Sequence, residues 1–372
     1  MQEIFTSLGL MSGTSGDGVD ASIVSSDGIS QFEVIKNKYY EYDTEIYKAI
    51  HHLKEKISNK NDLNRLSNQL KDLERKITLF HAKIINDLKL KNTDVLIGFH
   101  GQTIYHNSYE KISKQLGDGK LLNQLTNKKI VFNFRKKDME NGGEGAPLTP
   151  IFHQLLASLY KISLPVCILN IGGISNITII NKSIGSTDLH SKDLGPGNCL
   201  IDSWVRKNSN QKFDDSGKLA ALGKRNDIIF EQAQELYINR NNKNKLSFDV
   251  NDFDISFSRG LSLEDGAATL TDFTASIIAD SLSEELAKHE AVKEILICGG
   301  GRKNKILLKT IKNIFNSKLD LKSIDEYGIN GDFIESQAFG FLAVRTIKCL
   351  PITFPKTTNC LKPSSGGEII DN

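Results

Sequence analysis

Residues Leu8–Val24 read LGLMSGTSGDGVDASIV. Apolar and β-branched residues at both ends bracket a run of glycine, small hydroxyls and two aspartates, which is the composition of a tight turn between two strands. The stretch predicts a strand over Glu3–Met11, a polar loop, and a return strand over Gly18–Ser25. Within the loop, Ser12, Gly13, Thr14, Ser15 and Gly16 bring backbone amides and hydroxyls together as a nest for one anion, and Asp17, Gly18, Val19 and Asp20 lead into the return strand. A Walker A loop needs a terminal Gly-Lys-Ser/Thr and a following helix, and neither is present. The alternatives are a phosphate-binding hairpin and a plain glycine turn, since glycine takes positive φ at little steric cost.

The same grammar returns further along. Val166–Ile180, VCILNIGGISNITII, is a buried strand, a turn at Gly172 and Gly173 with Ser175 and Asn176, and a second strand. A third glycine run follows in EILICGGGRKNKILLKTIKNIF, where a strand over Glu294–Cys298 meets Gly299, Gly300 and Gly301 and then an amphipathic helix. The spacing of Cys298-Gly299-Gly300-Gly301-Arg302 does not match a dinucleotide fingerprint.

The rest of the chain is read around these loops. Thr44–Leu90 repeats leucine and isoleucine at three- and four-residue spacing and predicts helix. Thr93–Phe99 is a buried strand leading into a polar His100-Gly101-Gln102-Thr103 loop, and Lys129–Phe134 is another leading into Arg135. From Pro351 onward the chain reads as surface coil. At 372 residues two domains are expected, since single cores stop growing near about 250–300 residues. A net charge of +2 gives no nucleic-acid footprint. Five cysteines without a CxxC pair suit a reduced, cytoplasmic setting, and no apolar run reaches the ~20 residues of a membrane helix.

Taken in order, GLMSGTSGDGVDASIV, GFHGQTIYH, QLGDGKLL, FRKKDMENGGEGAPLTP, LNIGGISNIT, DLGPGNCLIDSW, EDGAATLTDFTA, ICGGGRKNK and ESQAFGFLA cover most of the chain from Gly9 to Ala343. Together they resemble the anhydro-N-acetylmuramic acid kinases of the sugar kinase, actin and heat-shock ATPase superfamily. The resemblance implies an α/β, two-domain actin-like ATPase fold with ATP and sugar in the interdomain cleft. The N-terminal domain would span 1–163 with 340–372 packing back on it, and the C-terminal domain 164–339. It also implies ATP and Mg²⁺ as cofactors, ATP and 1,6-anhydro-N-acetylmuramic acid as partners, no nucleic acid or membrane partner, a homodimer as a further assembly to test, and a place in cell-wall recycling.

The implied chemistry opens the internal ether of the sugar with water while the freed oxygen takes the γ-phosphoryl group, joining a glycosidase-like step to phosphoryl transfer. By resemblance Asp193 is the base, ahead of a helix from Cys199 whose N-terminus would favour the ionised carboxylate. Helix initiation is its plainer role. Glu335 matches an acid beside the sugar. Asp17 and Asp20 would hold the magnesium ion through water, Gln102 and Thr103 would bond the sugar, and Arg135 would grip its lactyl carboxylate, with His100 in support. Gly172, Gly173 and Asn176 form the second phosphate turn, and Gly299, Gly300 and Gly301 the adenosine loop. Gly16, Asn133, Glu144, Ser336 and the Arg302-Lys303 pair depart from the family's pattern, which bears on nucleotide affinity and substrate tolerance. Two alternatives are another small-molecule kinase of the superfamily and a nucleotide-switched interaction protein.

Overall fold

Residues 3–90, 94–239, 247–315 and 319–371 are described by a computed structural model. In chain order the strands are β1 (Phe5–Ser12), β2 (Gly18–Ser26), β3 (Phe32–Glu41), β4 (Leu96–Asn107), β5 (Ile112–Leu116), β6 (Ile130–Phe132), β7 (Val166–Ile171), β8 (Ile174–Ile180), β9 (Leu189–Pro196), β10 (Glu294–Cys298), β11 (Leu321–Ser323) and β12 (Glu368–Ile370). They build two sheets in two compact units, one of Met1–Ile162, Lys182–His190 and Phe333–Asn372, the other of Ser163–Asn181 and Ser191–Asp332. The α/β class expected from the sequence is the class observed.

The first unit's sheet runs β12-β6-β4-β1-β2-β3, with β5 also on β4. β1 and β2 form the hairpin predicted from Leu8–Val24, antiparallel from Phe5 opposite Ser26 to Met11 opposite Asp20. β4 lies parallel on the other side of β1. Alternation along β2 decides its two faces. Val19, Ala21 and Ile23 enter a core with Ile46, Ile50, Leu73 and Ile77 of the helices Thr44–Lys56 and Ser67–Asp87. Ser22 and Val24 face the other way, towards the helix Ile334–Ile347.

That helix lies directly on strand backbone. A Cβ on Gly9 of β1 would sit 1.9 Å from the Ser336 carbonyl oxygen, and one on Gly98 of β4 would sit 2.2 Å from that of Phe339. From the helix side, Gly340 would meet Gly9 N at 3.3 Å. Ser7 Oγ donates to the Gly340 carbonyl at 2.9 Å, and Ser22 and Ser336 hydroxyls share a hydrogen bond at 2.7 Å.

The second unit repeats the plan with a sheet ordered β11-β10-β7-β8-β9. β7 and β8 are the second hairpin, and β10 lies parallel to β7. The long helix Leu263–Ala287 and the helix Lys305–Ile314 cover it, burying Ala275, Ile278, Leu282, Leu307 and Ile311 against Cys167, Leu169 and Ile295.

Several local expectations are revised. The Thr44–Leu90 stretch is three helices, broken near Ser58-Asn59, where Asn59 caps the short helix Lys60–Arg65, and again at Leu66. β4 does not end at Phe99. It continues through His100 to Asn107 because β5 supplies a partner for its polar end. The tail beyond Pro351 is not a coil throughout, since Pro355–Thr358 is helical and β12 pairs antiparallel with β6. Residues 182–190 and 333–339 belong with the first unit rather than the second. Gln154 Nε2 donates to the carbonyls of Lys182, Ser183 and Ser186, and the first turns of the helix Ile334–Ile347 rest on β1 and β4.

Overpacking a close backbone contact typically costs about 1–3 kcal/mol, and here the obstacle is a carbonyl rather than a mobile side chain. Gly9→Ala is therefore expected to lower the unfolding free energy by at least that much, read as a lower urea unfolding midpoint. An unchanged midpoint would contradict the strand-on-helix contact.

Candidate active site

Both glycine turns and the triple-glycine loop sit at the carboxyl ends of parallel strands, where open α/β sheets gather their ligands. In the first unit the turn after β1 folds back through Gly16 N donating to Gly13 O at 3.1 Å. Gly16 takes φ +61, and a Cβ there would meet Ile50 at 2.9 Å, so glycine is required at this departure from the family pattern. Gly13 is the opposite case. A Cβ on it would find nothing nearer than Ser15 Oγ at 3.8 Å, so the turn's tip faces open space. Lys54 Nζ donates to Thr14 O, and Ser15 Oγ donates to Asp17 Oδ1. Val19 is fully buried in the core, so only its backbone can serve a ligand, and Gly18 is held tight against the Tyr39 ring and the Tyr40 carbonyl.

The register that sets Ser12 opposite Gln102 also joins their side chains. Gln102 is fully buried, and its Nε2 donates to the carbonyls of Gly13 and Thr103 while Ser12 Oγ donates to its Oε1 at 2.5 Å. Its amide thereby holds the glycine turn. Thr103 is half-buried and accepts from Gln115 Nε2 at 3.1 Å.

His100, Arg135 and Glu335 come together in the same unit. Arg135 Nε and Nη2 lie 3.2 and 3.0 Å from His100 Nε2, and Arg135 Nη1 donates to Gly145 O at 2.8 Å. Because His100 Nε2 accepts, the ring proton sits on Nδ1 and is donated to Gly101 O at 2.8 Å. Burial and the neighbouring guanidinium hold this imidazole well below its usual range, so His100 is a neutral brace for Arg135. Glu335 opens the helix Ile334–Ile347, half-buried, with a carboxyl pushed up by burial and pulled down less strongly by Arg135. Among the described residues its carboxyl makes no hydrogen bond. Asp138, which the motif reading passed over, anchors the loop beneath Arg135. Its Oδ2 accepts from Gly145 N and its Oδ1 from Thr358 Oγ1, both at 2.7 Å.

Two departures have partners in the structure. Asn133 sits at φ +54, which asparagine tolerates, and its Nδ2 donates to Glu368 Oε2 at 3.2 Å, where an aspartate would face a like charge. Glu144 accepts from Asn359 Nδ2 at 2.7 Å.

In the second unit the Gly172-Gly173 turn is stitched to the segment after β9. Gly172 O accepts from Asn198 N at 2.8 Å, and Gly173 O from Gly197 N at 2.9 Å. A Cβ on Gly172 would find nothing closer than 3.5 Å. Asn176 Oδ1 is buried without a hydrogen bond, a polar atom left for a ligand group. Gly299 turns the chain at φ +79 and Gly301 packs on Ile171, while Gly300 leaves its face open. Arg302, nearly buried at the side chain, pairs with Asp325 and Asp332 and donates to Gly299 O at 3.0 Å, so this departure clamps the triple-glycine loop.

Asp193 lies inside β9, five residues before the Asn198 cap of the helix Cys199–Asn208. This excludes both the helix-initiation role and stabilisation by that helix's N-terminus, an effect confined to the first turn. Asp193 is instead buried, 4% exposed, and its Oδ2 accepts from Phe248 N at 2.7 Å.

Three buried histidines of the first unit make its stability pH-dependent. Burial lowers His81 to about 4 and His153 to about 3, and His100 falls well below its ordinary range. Unfolded histidines titrate near ~6.5, so the unfolded chain binds more protons than the folded one below that pH. Stability is then full above about pH 6.5 and falls as pH drops towards the folded values, by about 1.4 kcal/mol per pH unit for each histidine. Urea unfolding at pH 7, 6 and 5 checks this, and a flat profile would contradict the neutral buried rings.

The sequence profile of the anhydro-N-acetylmuramic acid kinases matches residues 5–372. The chain is 53% identical to the anhydro-N-acetylmuramic acid kinase of Pelagibacter ubique, aligned over 100% of both chains. It is 37% identical to that of Zymomonas mobilis, over 97% of this chain and 98% of the relative, and 35% identical to that of Bradyrhizobium diazoefficiens, over 98% and 99%. No helix among the described residues is long and apolar enough to cross a membrane. With its sequence matched from one end of the described chain to the other, and with the motif residues gathered at the strand ends of each unit, this chain belongs to the anhydro-N-acetylmuramic acid kinase family.

Proposed function

We propose that the protein is an ATP-dependent kinase that opens 1,6-anhydro-N-acetylmuramic acid with water and phosphorylates it at O6, as a step of cell-wall recycling. The observation carrying this reading is the full-length match to the family, with a 53% identical relative of that name. Asp193 takes a proton from water, and the water oxygen bonds to C1 as the C1–O6 bond breaks. The electron pair released on O6 attacks the γ-phosphorus, and ADP leaves. One water and one ATP are consumed, giving N-acetylmuramic acid 6-phosphate and ADP. A buried carboxylate held by the Phe248 backbone amide suits the base, because its orientation is set before substrate arrives.

In this reading the turn Ser12 to Gly16 and the turn at Gly172 and Gly173, with Asn176, hold phosphate groups through backbone amides. Gly299, Gly300 and Gly301 approach the adenosine. Arg135, braced by His100 and Gly145 O, grips the lactyl carboxylate, and Glu335 and Thr103 bond sugar hydroxyls. Gln102 acts at one remove by fixing the glycine turn.

Asp17 and Asp20 fit a magnesium ion. Burial, and after it the charges of Asp17, Glu41 and Asp20, push the ionisation of the Tyr39 hydroxyl up, so negative charge gathers at this turn, and carboxylate oxygens are the donors this cation takes. Bound there, the ion would neutralise charge on the nucleotide phosphates. The five free cysteines, four of them buried, support a reducing, cytoplasmic setting, and a homodimer stays part of the reading.

Gly13→Val places its branched side chain in open space, so the fold should survive while close approach of phosphate is blocked. Calorimetry is expected to show at least about tenfold weaker ATP binding, a loss of about 1.4 kcal/mol; unchanged affinity would reduce the turn to a plain hairpin. Asp193→Asn keeps size but removes the base, which contributes ~10²- to 10⁴-fold in rate. Because O6 is released only as the ether opens, ADP and 6-phosphate formation should fall together. Near wild-type turnover per folded molecule would overturn the assignment and make Glu335 the next candidate.

A further inference from the structure

The loop facing Asp193 carries no recognised motif, yet it supplies a hydrogen bond to the carboxylate. Phe248 N donates to Asp193 Oδ2 at 2.7 Å, with Phe248 8% and Asp193 4% exposed. Immediately beyond, the chain closes on itself. Asp249 N donates to Asp252 Oδ2 at 2.7 Å, Asp252 N to Asp249 O at 3.0 Å, and Phe253 N to Val250 O at 3.2 Å.

This small closed loop is held by a row of aromatic rings. Phe248 lies 5.5 Å from Phe253, Phe253 stacks on Tyr237 at 6.2 Å, and Tyr237 meets Phe273 of the long helix edge-on at 6.1 Å. The row also abuts β9. A Cβ on Gly195, two residues beyond Asp193, would come within 2.5 Å of Ile277 and 3.4 Å of Tyr237 Oη. The donor and the carboxylate are therefore carried by elements locked to the same helix, and the distance between them is set by ring packing.

We propose that Phe248 is a positioning residue for the base. Its ring anchors the loop, and its backbone N–H holds Asp193 Oδ2 so that the carboxylate keeps one orientation through the reaction. This inference rests on the reading of Asp193 as base. Donation to the ionised form also favours ionisation, so loss of the contact makes the base titrate higher.

The test uses the full-length enzyme with ATP and 1,6-anhydro-N-acetylmuramic acid, following kcat, KM for each substrate and the pH profile of kcat. Phe248→Ala is expected to lower kcat about 10- to 100-fold. It should also move the acidic limb of the profile up by about one pH unit, with KM for ATP unchanged. Phe248→Tyr, which keeps the ring, should restore both. Should the alanine variant fail to fold, Phe248→Leu keeps the bulk without the ring and gives the same readout. A limb that stays in place, with kcat falling only as the folded fraction falls, would make Phe248 a packing residue and overturn the proposal. Asp193→Asn run in parallel separates the two readings. If that variant turns over normally, the base assignment fails and this inference with it; if it is inactive while the Phe248→Ala limb is unmoved, this inference alone fails.

Discussion

Everything in the first unit hangs on a helix lying against strand backbone with no side chains between. Glycines on β1 and β4 and one on the helix remove the Cβ atoms that would hold Ile334–Ile347 off the sheet. Dispersion and hydrogen bonding both depend steeply on distance, so this approach lets Ser7 and Ser22 reach the helix directly. It also sets the height of every side chain in the helix's first turns. Glu335 starts the helix, and Phe339, one turn further, lies 4.6 Å from His100 and 5.2 Å from Phe134. The carboxyl, the imidazole and the arginine braced by it are thus positioned by one contact made of absent side chains.

A second theme is how many polar groups at the site serve other protein groups. Gln102, His100, Asp138 and Arg302 are each tied to a carbonyl, hydroxyl or charged partner that keeps a loop in shape. Other groups carry no such tie among the described residues: the open faces of Gly13, Gly172 and Gly300, the Asn176 oxygen and the Glu335 carboxyl. Buried polar groups that are fully satisfied rigidify their surroundings. A phosphate cradle of backbone amides needs that rigidity, since glycine supplies access but none of its own.

Much of this was legible in the chain. The hairpin at Leu8–Val24 and its echo at Val166–Ile180 were readable because strand alternation and turn chemistry are local properties. The triple-glycine loop was readable for the same reason. Less legible was the extension of β4 through a polar run, which exists because β5 pairs with it. The strand β12 in an apparent coil was hidden likewise, since its partner β6 lies more than two hundred residues away.

The sequence by itself determined the α/β class, the two hairpins and the family, because these rest on patterns and residue identities fixed along the chain. Tertiary structure alone decided what the site residues touch. It placed Asp193 within a strand rather than at a helix start, tied the Gln102 amide to the glycine turn, made His100 neutral, and brought Phe248 to Asp193 across fifty-five positions of sequence. The physical reason is that a side chain's role follows from its burial and its hydrogen-bond partners, and both are supplied by distant segments that local pattern does not encode.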